Sequence, residues 1–140
     1  MNTTSINWFN NAFFYHIYPL GLCGAPARND FSSPPVERLS RIGDWIPHLQ
    51  SLGVDALYLG PLFSSSTHGY DTADYYHVDQ RLGTNETLAR LVQQLHAAGI
   101  RVVLDGVFNH VGRDFWAFRD VRQNGESSRY VNWFQGIRFG

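Results

Sequence analysis

Charge is what this chain has least of. Asp, Glu, Lys and Arg make up 16% of its 140 residues, against about 25% in an ordinary soluble domain, and so uncharged a surface suits a chain that is covered by more protein. The net charge of -1, with no block of basic residues, leaves no electrostatic footprint for nucleic acid. A single cysteine, Cys23, excludes an internal disulfide and is compatible with a reducing compartment. The opening stretch from Met1 to Ala12 is polar, with no basic segment leading into an apolar one, and no apolar run approaches the length of a membrane span. The expected setting is cytoplasmic, with no membrane partner.

What the chain does have is aromatic residues, 15% of the total, and three apolar runs that read as strands. The first is Phe13 to Tyr18, closed by Pro19; the second is Ala56 to Leu59, stopped by Gly60 and Pro61; the third opens at Ile100 and runs through Leu104. Between the first two, Leu39, Ile42, Ile46, Leu49 and Leu52 recur at helical spacing. Pro47 fits that helix only if a break near Gly43 and Asp44 places it in a new first turn, with Asp44 as cap. Before the third strand, Thr84 or Asn85 can cap a helix with a stripe of Leu88, Leu91, Val92, Leu95 and Ala98, ended by Gly99.

The order β-α-β-α-β implies parallel strands with right-handed crossovers. Helix-to-strand connections are very short, whereas both strand-to-helix connections, residues 19–37 and 60–83, are long and read as loops. Long loops all on the C-terminal side of parallel strands are the layout of a (β/α)8 barrel, in which that side carries the site. There the third strand delivers Asp105, Asn109 and His110, groups that are costly to bury unless paired or in use. None of His16, His48, His77 and His96 shows the spacing of zinc ligands.

Asp105-Gly-Val-Phe-Asn109-His110 resembles the D-x-x-x-N-H pattern that ends strand three in the α-amylase family, glycoside hydrolase family 13. Three further blocks are similar to that family and stand in its order: Tyr15 to Pro19, Leu52 to Pro61, and His68 to Tyr76. The phrasing of the last resembles the cyclomaltodextrinase and neopullulanase branch. The resemblance implies a fold of the α/β class, a partial TIM barrel with strands one to three and two helices over residues 1–112. The start of an inserted domain after strand three would occupy residues 113–140. It also implies retaining hydrolysis of an α-linked glucan or maltooligosaccharide by a carboxylate nucleophile and a carboxylic acid. Both map to later strands, beyond residue 140, so no catalytic residue is expected here and the chain by itself is expected to be inactive.

The same resemblance assigns substrate contact to Tyr70, Asp71 and His110: an aromatic ring under the apolar face of a glucose, an acceptor for its hydroxyls and a hydrogen-bond donor. Asp105 and Asn109 become organisers of the site. From the residues alone, Tyr70 also reads as a packed loop tyrosine, Asp71 and Asp74 as turn or cap residues, and His110 as a hydrogen-bonded histidine at a strand end. No cofactor or metal is expected. Asn109 matches a calcium ligand of calcium-dependent α-amylases, but Ca2+ takes about six to eight oxygens and the chain offers one evident candidate. The expected partner is the remainder of a barrel of about 250 residues, or another copy of the chain that covers the free strand edges. The rival readings are a non-catalytic carbohydrate-binding module and an assembly module.

Overall fold

Three short strands make the central sheet of the computed structural model, which describes residues 8–140; the polar opening from Met1 to Asn7 lies outside the described residues. Strands β1 (Phe14–Ile17) and β2 (Ala56–Leu59) and a third at Arg101–Leu104 run parallel, with β2 in the middle. Register sets Tyr15, Leu57 and Val102 abreast, and next but one Ile17, Leu59 and Leu104. Because side chains alternate, these two rows share a face. Ile17, Leu57 and Leu59 on it are fully or almost fully buried against the helices. The other face carries Phe14, Ala56 and Arg101, then His16, Tyr58 and Val103. Phe14, His16 and Arg101 on it are exposed. A sheet with helices on one side and a half-open second face fits part of a barrel wall.

The segment between β1 and β2 departs from the expected α-helix. Arg38–Trp45 winds as a 3-10 helix, and the α-helix proper is one short piece, which follows the single turn α1 (Pro19–Leu22) as α2 (Ile46–Ser51). The reason lies in the apolar spacing. Leu39, Ile42 and Trp45 fall three apart, the period of a 3-10 helix, so this winding keeps all three on one face. Leu39 and Ile42 are fully buried there and Trp45 packs beside them. The break comes at Trp45, two residues later than Gly43, and Trp45 is the N-cap without a side-chain cap bond, so Asp44 is not the cap. Pro47 does sit in the first turn. Gly53, at φ +70, turns the chain into β2.

A larger correction concerns residues 60–83, read as an unstructured connection. They contain an antiparallel hairpin, β3 (Phe63–Ser65) and β4 (Thr72–Val78). Its register shifts twice within three residue pairs, and β4 buries Thr72, Ala73 and Val78 without alternation. That irregularity is why no period-two pattern announced it. The next helix, α3 (Asn85–Ala97), begins as expected: the Thr84 hydroxyl accepts from the Thr87 amide at 3.2 Å and the Thr87 hydroxyl accepts from the Thr84 amide at 3.1 Å. Gly99, at φ +79, ends it ahead of β5, the Arg101–Leu104 strand. The last part holds α4 (Trp116–Asn124), which buries Ala117 and Val121, and two 3-10 turns.

Cys23 is buried without exposure just after α1. Burial pushes its thiol up to about 11, against the opposing pull of the Arg41 cation. At pH 8 a disulfide-exchange reagent is therefore expected to label Cys23 in the native chain at least roughly a hundredfold more slowly than in the denatured chain. Absorbance of the released thiolate measures both rates.

Candidate functional site

The C-terminal end of the sheet is where two of its connections meet. Asp105 leaves β5 with its amide donating to the Leu59 carbonyl at 2.9 Å, so the loop that follows starts beside the end of β2. From there residues 106–114 lie down on the β3–β4 hairpin. The Gly112 amide donates to the Thr72 carbonyl at 2.8 Å. A Cβ at Gly112 would stand 2.3 Å from the Asp71 carbonyl oxygen, so only glycine allows this approach. The Tyr75 hydroxyl donates to the Val107 carbonyl and faces that of His110 at 3.3 Å, and the Ser66 hydroxyl donates to Asp114 at 2.8 Å.

This docking joins the residues singled out from the sequence. Nε2 of His110 donates to the Tyr70 carbonyl at 2.9 Å. Tyr70 is 42% exposed, so its ring stands open while its backbone is held. Asp71 is next to it. Its Oδ2 accepts from the Thr67 hydroxyl at 2.7 Å, and its Oδ1, although buried, has no hydrogen-bond partner. Burial would raise the Asp71 carboxyl, but hydrogen bonds from Thr67 outweigh it and hold the group below the ordinary carboxylate range.

Asp105 sits apart from this trio, half-buried at the end of β5. By strand alternation it shares the face of Val103, His16 and Tyr58. A hydrogen bond to the Asp105 carboxylate, together with burial, pushes the Tyr58 phenol up to about 12. Tyr58 stacks on His16 with ring centroids 4.7 Å apart. Asn109 is exposed and lines an open hollow with Phe108, His110, Trp133 and Phe134. Among the described residues no three His, Cys, Asp or Glu side chains gather in a way that could hold a metal ion. Asp74 accepts from the Tyr76 amide at 2.8 Å and pairs with Nδ1 of His77 at 2.7 Å, both within its own strand.

Sequence reasoning passed over the groups that hold this wall from behind. Asp79 and Arg81, 0% and 5% exposed, form a buried ion pair. Nε and Nη2 of Arg81 donate to the two Asp79 oxygens at 2.9 and 2.8 Å. Nη1 donates to the carbonyls of Pro26 and Thr67 at 2.9 and 2.7 Å. Asp79 also accepts from the amide and hydroxyl of Ser65. The loop bearing Tyr70 and Asp71 is thus tied at its base to the connection after β1. An Asp and an Arg two apart carry no periodic or spacing signal of their own, and only the topology brings Pro26 and Thr67 to them.

With this geometry in hand, comparison with known proteins decides the family. Residues 36–138 match the model of the alpha amylase catalytic domain. The chain belongs to the alpha-amylase family. It is 43% identical to a cyclomaltodextrinase of Bacillus sp over 91% of its own length and 25% of that protein's. It is 41% identical to neopullulanase 2 of Thermoactinomyces vulgaris, over 94% of its length and 25% of that protein's. The ligand-free cyclic alpha-maltosyl-(1-->6)-maltose hydrolase of Arthrobacter globiformis superposes with a TM-score of 0.77 at 40% identity, covering 91% of this chain and 32% of that one. The chain thus spans about a quarter of the length of these curated relatives and corresponds to the N-terminal part of the family's barrel. No helix among the described residues is long and apolar enough to cross a membrane.

Two outcomes test the geometry. Asp79→Asn leaves a buried guanidinium without its counter-charge and is expected to cost about 3 to 5 kcal/mol, read from urea unfolding of the two chains. Thr67→Val removes the donor that holds Asp71 low. A carboxyl depressed in the folded state stabilises the fold above its ordinary pKa of about 3.9 and loses that contribution as pH falls through the folded value. The variant is therefore expected to unfold at a higher pH than the parent in an acid titration followed by near-ultraviolet circular dichroism.

Proposed function

We propose that this chain supplies one wall of the sugar site of an α-glucan-acting glycoside hydrolase of the retaining type, within carbohydrate metabolism. The observation that carries the proposal is the junction of two strand-end loops at His110 and Tyr70, which gathers an open aromatic ring, a carboxylate with a free oxygen and an imidazole at the C-terminal end of parallel strands. An aromatic face suits the apolar C-H face of a glucose unit. Oδ1 of Asp71 has no partner and is shielded from solvent; a sugar hydroxyl that displaces this cover and bonds to it removes the cost of leaving a buried oxygen unpaired. Nε2 of His110 is already engaged by Tyr70, so any contact from His110 to sugar uses Nδ1. Asp105 and Asn109 organise the site, and no metal is assigned to Asn109.

The nucleophile and acid belong, by the family resemblance, to later strands. Turnover is expected from a polypeptide that carries those strands and not from residues 1–140 by themselves. By the same resemblance the barrel part is assigned to residues 1–112, of which Met1 to Asn7 lie outside the described residues, and the start of the segment inserted after the third barrel strand to residues 113–140. The setting is the cytoplasm, where the lone thiol of Cys23 stays reduced. The exposed second face of the sheet, with Phe14 42% exposed, and the outer edges of β1 and β5 favour the remainder of the barrel, or a second copy, as partner.

The test is a titration of the isotope-labelled 140-residue chain with maltoheptaose, followed by NMR. Saturable shifts at Tyr70, Asp71 and His110 are expected, with affinity about tenfold lower in Tyr70→Ala. A full titration that moves none of these resonances overturns the proposal. Release of reducing sugar by the chain alone overturns the placing of the catalytic carboxylates on later strands.

A further inference from the structure

Tyr70 is held by the backbone on both sides of its α-carbon, and both holders are histidines. Its amide donates to Nδ1 of His68 at 3.2 Å, and its carbonyl accepts from Nε2 of His110 at 2.9 Å. A carbonyl only accepts, so His110 carries a proton on Nε2. An amide N-H only donates, so Nδ1 of His68 is bare and the His68 ring is neutral, with its proton on Nε2. His68 is anchored in turn, because the Tyr18 hydroxyl donates to its carbonyl at 2.9 Å. The same bare Nδ1 lies 3.7 Å from Oδ1 of Asp71, the buried oxygen that has no partner. At that separation, with no proton on either atom, there is no hydrogen bond.

We propose that His68 is a positioning residue that sets the Tyr70 ring through the Tyr70 amide, and that it does so only while neutral. The inference rests on the reading of Tyr70 as a sugar platform. A second proton on His68 goes to Nδ1, the atom that faces the Tyr70 N-H, and sets two donors against each other. The new N-H turns instead to Oδ1 of Asp71, where an ionised acceptor makes the stronger bond. Both changes work against sugar binding. The platform loses one of its two ties, and the free carboxylate oxygen is occupied.

The ionisable groups around His68 come from four segments. Asp71 and Tyr70 lie on its own loop, Tyr18 on the connection after β1, and His110 on the loop after β5. Arg81, after β4, donates to the carbonyl of neighbouring Thr67. His110 donates from Nε2 whether neutral or charged, so its own titration does not release the Tyr70 carbonyl. The acid-sensitive tie is the one through His68.

The experiment is heteronuclear NMR on the 15N-labelled 140-residue chain across about pH 5 to 8, the range in which imidazoles titrate, with and without maltoheptaose. The neutral His68 ring is expected to show the Nε2-H tautomer. The Tyr70 amide resonance is expected to move with the midpoint of the His68 ring, and maltoheptaose affinity to fall about tenfold on its protonation, the worth of about one hydrogen bond. His68→Asn puts a carboxamide oxygen near the position of Nδ1 and cannot titrate. It is expected to keep the affinity and lose its pH dependence, whereas His68→Ala weakens binding at every pH. An Nδ1-H tautomer, a Tyr70 amide indifferent to the His68 midpoint, or His68→Asn behaving like His68→Ala overturns the positioning role. If maltoheptaose binds and His68→Ala binds it equally well, the positioning role falls and the sugar reading stands. If the Tyr70 amide follows His68 but maltoheptaose moves nothing, the clamp stands and the sugar reading falls.

Discussion

The buried pair of Asp79 and Arg81 is the interaction on which the candidate site depends. Two charges out of water are worth keeping only when every remaining donor and acceptor is used, and here they are. Arg81 reaches the carbonyls of Pro26, Thr67 and Ser65 besides the carboxylate, and Asp79 takes the amide and hydroxyl of Ser65 as well as the guanidinium. The groups it joins come from the connection after β1, from β3 and from the loop between β3 and β4. An apolar contact would hold these segments near one another; directed bonds to named carbonyls fix where the loop sits. That matters because loops are otherwise the parts of a fold with most freedom.

From this base the wall rises in two stages. Packing of Ile17, Leu57 and Leu59 against Leu39, Leu49, Leu91 and Leu95 aligns the strand ends. The hairpin and the loop after β5 then close on each other through the Gly112 amide, the Tyr75 hydroxyl and the His110 ring. Each of these contacts uses a backbone carbonyl of the opposite segment. The Tyr70 ring is left free to present its face, and beside it Asp71 keeps one buried oxygen, Oδ1, without a partner.

What the sequence made legible follows from how local each signal is. The strands β2 and β5, the cap at Thr84 and the stops at Gly53 and Gly99 depend on neighbours within a few residues, and they stand close to where the apolar runs and turn residues put them. The winding of residues 38–45 was misread because Leu39 and Ile42 are three apart, a step that α and 3-10 helices share, and only the packing of both against the core selects the tighter coil. The hairpin at 63–78 was missed because its bulged register erases alternation. For the site, the motif positions of Tyr70, Asp71 and His110 were visible, but not their joining through the Tyr70 backbone. Asp79 and Arg81 act through main-chain atoms of residues whose closeness is a product of the fold, and His68, although only two residues from Tyr70, meets its amide through a loop conformation that no spacing rule announces.

Gly112 and the ion pair also differ in when they become available along the chain. Every group in the Asp79 and Arg81 network, from Pro26 through Ser65 and Thr67, has left the ribosome once residue 81 has. The partners that close the rim, His110 and Gly112, come about thirty residues later by position in the sequence. The base of the wall is therefore encoded ahead of its rim, so that the loop bearing Tyr70 has its anchor in the growing chain before the histidine that completes its hold has been made.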